Sequence, residues 1–269
     1  MATAAVELGI RRDAGGISVR AYTDLLTNFL LMLEEIDRLG TPGKVTRPEW
    51  AVGSVYEVGA TLRMVLVLRT LPKRREIESL SIPPRALVSG VRSLAEVPEI
   101  PRLFSETIVE RVGHVGQRIG KEGVLALTLA SVNGRRETDV PLDEGVRLNA
   151  RRAIEPASTA WSSLVGVLDV ISVRHERRRI GLLTDHGRAV VCDVKRLPRE
   201  AVMSAFEQRV VAAGHLRRNS SGQPVRLDVE TLEVLDTPPP VSVRDLLGAA
   251  PDLTGGLSTE EYMAVLRGR

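Results

Sequence analysis

One cysteine in 269 residues, Cys192, has no second thiol to pair with. A disulfide framework and a cysteine-based metal site are therefore both excluded. Aromatic residues make up only 3% of the chain, little for a protein that would stack nucleobases. No apolar run reaches the roughly 18 residues that a membrane span requires. The opening residues, Met1 to Glu7, lack the basic-then-apolar order of a secretory signal, so a cytoplasmic protein without membrane contact is expected. The four histidines, His114, His175, His186 and His215, are scattered, and none has a second ligand at metal spacing. A phosphate-binding glycine loop, a dinucleotide fingerprint, His-Glu-x-x-His and a Gly-x-Ser-x-Gly elbow are all missing. Metal, cofactor and enzymatic activity thus find no support, and a non-enzymatic binding protein is expected.

The apolar fraction of 43% and the charged fraction of 26% are ordinary for a globular chain. A net charge of +3 is too small to argue for a polyanionic partner; its distribution says more. From Trp161 to Leu235 there are twelve Lys or Arg against nine Asp or Glu, whereas Asp236 to the end holds three against five. The length suits two domains. The composition divides the chain into residues 1–155, 160–236 and 237–269, with Glu155-Pro156-Ala157-Ser158-Thr159 as the first boundary.

Leu164 to Leu235 reads as a small closed β-barrel. An apolar run from Leu164 to Val173 is followed by a basic turn and a second run to Thr184. Asp185-His186-Gly187 signals a hairpin. Val190, Cys192 and Val194 then share one strand face. Pro198 opens a short helix with Ala201, Val202, Ala205 and Phe206 as its apolar stripe. Val210 to Leu216 is a fourth strand. In the fifth, Val225, Leu227 and Val229 alternate with Arg226, Asp228 and Glu230, and a phase slip near Thr231 predicts a β-bulge. Three strands, a helix and two strands is the order of an OB-fold, which binds oligonucleotides or oligosaccharides on one face.

The loops expected to flank that face are rich in arginine. Arg174, His175, Arg177, Arg178 and Arg179 lie in or beside one, and His215, Arg217 and Arg218 beside the other. If they meet at one rim they form a phosphate-contacting surface for single-stranded nucleic acid. Arginines also collect in exposed turns simply to be solvated, and these strands contribute no Phe, Tyr or Trp to stack on.

Ahead of the barrel the pattern is α+β: a mostly antiparallel sheet covered by helices. Val6 to Ile10 is a strand. Ile17 to Leu39 is an amphipathic helix burying Leu25, Phe29, Met32, Leu33 and Ile36. Trp50 to Glu57 and Thr61 to Leu71 are strands, the second central in the sheet, and Pro72 to Glu76 is a charged turn. Helices follow over Pro84 to Ala95 and Arg102 to Ile119; Gly113, Gly116 and Gly120 in the second imply close packing on the sheet. A hairpin through Asn133-Gly134 and a helix from Pro141 to Ile154 complete the domain.

Asp236-Thr237-Pro238-Pro239-Pro240 is a stiff linker to a tail with two short helical signals, the second opened by the capping box Ser258-Thr259-Glu260-Glu261. Helices so short need a surface to dock on, either this chain's own body or a partner. The segments Gly166-Val167-Leu168-Asp169-Val170-Ile171-Ser172-Val173-Arg174-His175, Val190-Val191-Cys192-Asp193-Val194, Gly214-His215-Leu216-Arg217-Arg218-Asn219 and Gly222-Gln223-Pro224 resemble uncharacterised bacterial proteins, many actinobacterial or cyanobacterial. The tail from Asp252 to Glu261 looks like the end of the same proteins. It is also similar to antitoxins that partner PIN-domain ribonucleases. That resemblance implies a companion of a nuclease-type toxin. Leu257, Tyr262, Met263, Val265 and Leu266 would dock on the toxin, and Arg267 or Arg269 would enter its acidic metal pocket. Such antitoxins are mostly shorter and carry a small DNA-binding dimerisation domain at the front, which the α+β region here does not match.

Overall fold

The computed structural model describes residues 5–41, 46–70, 77–133, 135–174 and 177–235, together with Leu257. The expected turn at Pro72 to Glu76, the linker and all tail docking residues except Leu257 lie outside the described residues. Leu257 itself is exposed.

The first part is a six-stranded antiparallel sheet with helices. Its strands are β1 (Ala5–Arg12), β2 (Glu49–Val58), β3 (Thr61–Thr70), β4 (Val124–Asn133), β5 (Arg135–Arg136) and β6 (Val140–Leu142). They run in the order β2-β3-β1-β4-β5, with β6 also paired to β4. As its apolar pattern predicts, β3 has a partner on each side. Strand alternation sends Val6, Leu8, Ile10, Met64, Leu66, Leu127 and Leu129 into the core. α1 (Val19–Gly40) lays the expected stripe of Leu25, Phe29, Met32, Leu33 and Ile36 into the same core. It starts where Ser18 accepts a hydrogen bond from the Ala21 N–H (3.1 Å), one of the amides left over at a helix start.

The short α2 (Ile77–Leu80) leads to α3 (Ile82–Glu96), which carries two prolines in its first turn, where no N–H is missed. α4 (Glu106–Gly116) is shorter than the pattern predicts at both ends, because Ser105 caps one end and Gln117 the other. Its glycines serve helix–helix packing rather than the sheet. A Cβ on Gly116 would sit 3.3 Å from Arg147, and one on Gly113 3.9 Å from Ala150, both residues of α5 (Glu144–Ile154). Pro141 and Leu142 belong to β6, not to α5, which begins only after its cap, Asp143.

The second part has five strands: β7 (Ser158–Arg174), β8 (Arg177–Thr184), β9 (Ala189–Asp193), β10 (Arg209–Arg218) and β11 (Pro224–Val234), with α6 (Arg199–Ser204) between β9 and β10. The order β10-β11-β9-β8-β7 closes on itself as a barrel. All pairs are antiparallel except β11 with β9. Val190, Cys192 and Val194 point inward as expected, joined by Leu168, Ile180, Leu182, Leu216, Leu227 and Val229. The stripe on α6 is narrower than predicted: Val202 and Ala205 are buried, while Ala201 and Phe206 are exposed. Between Ala213 and Gly214 the β10–β11 register slips past Glu230, which places the predicted bulge next to Thr231.

The two parts belong to one compact unit, Met1–Leu235. Val225 of β11 is buried in the core of the first part, and Leu183 and Ala189 pack against that core. Buried side chains lock the contact. Asn219 donates to the Ala153 carbonyl (2.8 Å). Gln223 accepts from the Ile100 N–H (2.7 Å) and donates to its carbonyl. Arg226 grips Glu106 with two nitrogens (3.1 and 2.8 Å), and Arg38 of α1 pairs with Asp169 of β7.

Candidate nucleic-acid interface

The long strand β7 organises the barrel wall. Its first half pairs with β10, from Ser158↔Arg218 to Val167↔Arg209, and its second half with β8, ending at Arg174↔Arg177. The two arginine turns therefore lie at opposite ends of a seventeen-residue strand, not together at one rim. This corrects the expected arrangement, and its cause is simple: a strand long enough to serve two partners in succession holds their turns apart.

The β10–β11 turn is moreover not an open loop. Asn219 (2% exposed) accepts with its side-chain oxygen from the backbone N–H groups of Ser221 and Gln223, at 3.1 and 2.9 Å, while its NH2 donates to the Ala153 carbonyl and the Gln223 side-chain oxygen. The polar residues that signal a turn in the sequence thus spend their hydrogen bonds on its interior and on the first part of the protein. Arg218 donates to the Gly222 carbonyl across the same turn.

At the other end, Arg174 and Arg177 form the last pair of the β7–β8 ladder, and His175 is outside the described residues. Arg178 donates to the Lys195 carbonyl (2.9 Å), and Arg179 pairs with Asp193 (3.2 Å).

What the structure does bring together is the outer wall between these ends. A row of paired positions crosses five strands: Trp161↔His215 on β7 and β10, His215↔Asp228 on β11, Asp228↔Asp193 on β9, and Asp193↔Arg179 on β8. Along this row lies a groove of about 660 Å³, lined by Thr159, Asp193, Lys195, Arg196, His215, Arg217, Asp228 and Glu230 among others. Trp161 is 57% exposed and stands edge-on to the His215 ring, with centroids 5.5 Å apart. Arg217 pairs with Asp228 (2.9 Å), Arg196 with Glu230 (2.8 Å), and His215 sits 3.6 Å from Glu230. The groove thus offers cations already held in place by carboxylates, beside an exposed indole.

Trp161, Lys195 and Arg196 are absent from the candidates read in the sequence. Ser158 to Ser163 carries no apolar run, so the sequence places the first barrel strand at Leu164 and leaves Trp161 ahead of it. The signal available in the sequence was Thr159 and Trp161, two strand-favouring residues on one face at period two. Cys192 is fully buried, and burial pushes its thiol up, out of the reactive range. Among the described residues no group of three His, Cys, Asp or Glu could hold a metal, and no helix is long and apolar enough to cross a membrane.

Compared with models of protein families and with curated proteins, the chain has no match.

Proposed function

We propose that the protein is a non-enzymatic binding protein whose barrel is of the OB type and whose outer wall binds single-stranded nucleic acid. The strand pairing, with a parallel third–fifth contact and a helix between the third and fourth strands, supports the OB reading. The observation that carries the ligand is Trp161: a large exposed indole beside a groove holding Lys195, Arg196 and Arg217. Stacking on an aromatic with cations along the backbone path is how single strands are held without reading their sequence. The carboxylates in the groove oppose a polyanion, so the binding is expected to be weak and strongly salt-dependent.

The test is fluorescence anisotropy with a labelled oligothymidylate at two salt concentrations. Trp161→Ala removes one stacking platform, which is worth about 1–3 kcal/mol per base, roughly a 5- to 150-fold loss of affinity. Lys195→Ala with Arg196→Ala lowers the salt slope by about 1.4, from about 0.7 per single-strand phosphate contact. No binding at low salt, or binding indifferent to these variants, overturns the reading. The companion role for a nuclease-type toxin rests on the resemblance of the tail, whose docking residues fall outside the described residues except for Leu257.

A further inference from the structure

A second cavity, of about 460 Å³, lies where the outer face of β7, β8 and β9 is turned toward α1 and α4. Its barrel side presents a small apolar patch, Val170, Gly181, Ala189 and Val191, with Ser172 and Arg179 beside it. Folded interiors are normally packed close to crystal density, and larger side chains at Gly181 and Ala189 would reduce this space. Ion pairs tie the two walls together at a fixed spacing, Arg38 with Asp169 and Arg226 with Glu106. The cleft is therefore pre-formed, and its volume falls in the range of small-molecule sites, roughly 300–1,000 Å³.

Three arginines line it, and they differ. Arg38 is neutralised by Asp169 and Arg179 by Asp193. Among the described residues Arg111 meets only an amide oxygen, that of Asn28 (3.0 Å), and its buried Nε has no hydrogen-bond partner. Glu34 and Glu35 line the same cleft, so a polyanion would be repelled where a single negative charge is tolerated.

We propose that this cleft binds a small molecule with a flat apolar body and one carboxylate, the body on the Gly181–Ala189 wall and the carboxylate at Arg111. This site is separate from the groove beside Trp161, and the proposal stands or falls independently of nucleic-acid binding.

The probe is 2-naphthoate, titrated into the full-length protein by calorimetry and followed by amide chemical shifts. The expected result is saturable one-to-one binding that shifts the Gly181, Ala189 and Val191 amides. 2-Naphthamide, of the same shape without the charge, should bind at least tenfold more weakly. Arg111→Gln should lose at least tenfold in affinity, and Ala189→Phe should abolish binding by filling the wall. If either variant fails to fold, the amide shifts and the naphthoate–naphthamide ratio decide on the native protein. The proposal is overturned by no saturation up to the solubility limit, by equal binding of both probes, or by shifts confined to the Trp161–His215 wall.

Discussion

Asn219 and Arg218 are neighbours in one turn with opposite duties. Asn219 is buried and uses both ends of its amide, whereas Arg218 only reaches a carbonyl within its own turn. Removing a buried amide leaves its partners unsatisfied at about 1–3 kcal/mol. Asn219→Ala is therefore expected to lower the unfolding free energy measured by urea denaturation by that much, while Arg218→Ala changes it by less than about 0.5 kcal/mol. Glu7 offers a pH-dependent counterpart on the sheet. It is 2% exposed, and burial pushes its carboxyl up. Hydrogen bonds from Tyr56, Arg63 and Arg136 outweigh that and hold it below the usual carboxylate value of 4.5. A carboxyl lowered by folding contributes stability above its unfolded value and loses it as pH falls through the folded one. Glu7→Gln should cost about 3–5 kcal/mol at pH 7, since it breaks a buried charge cluster. Denaturation at pH 7 and pH 3 should show the gap to wild type narrowing in acid; a gap that widens would contradict this assignment.

Among the elements, β11 and β7 show what the sequence makes legible. The bulge could be read from the phase slip at Thr231, because alternation is a local property and its interruption is visible in the chain. Its partner could not: Gly214 lies across the ladder, where a Cβ would come within 2.0 Å of the Asp228 carbonyl oxygen. Gly214→Ala should therefore cost at least about 3 kcal/mol or prevent folding, far beyond the usual change at a strand glycine. The core stripe of α1 and the central place of β3 were likewise readable from periodicity. The start of β7 and the separation of the two arginine turns were not, because both depend on which strand pairs with which half of β7. Turn residues such as Asn219 and Gln223 are equally ambiguous, since the same polarity suits solvent, a ligand or a neighbouring carbonyl.

At the scale of the molecule, β11 belongs to two cores at once: Val225 faces the first, Leu227 and Val229 the second. Buried hydrogen bonds and ion pairs cross the same boundary. Residues 5–235 should therefore unfold in one step. Each part carries one tryptophan, Trp50 on β2 and Trp161 on β7, so Trp161→Phe and Trp50→Phe variants report on the two parts separately. Coincident urea transitions are expected; two midpoints would mean the parts are energetically independent. The same joint turns part of the β7–β8–β9 face toward α1 and α4, while Trp161 stays exposed, and it is on the wall around Trp161 that we propose a nucleic-acid strand lies. The most direct test of that claim is ultraviolet crosslinking of a 4-thiouridine oligonucleotide at low salt, with the modified peptides mapped by mass spectrometry. Crosslinks in Ser158–Trp161 and His215–Arg217 are the predicted result. Crosslinks confined to other segments, or none at all, would contradict it.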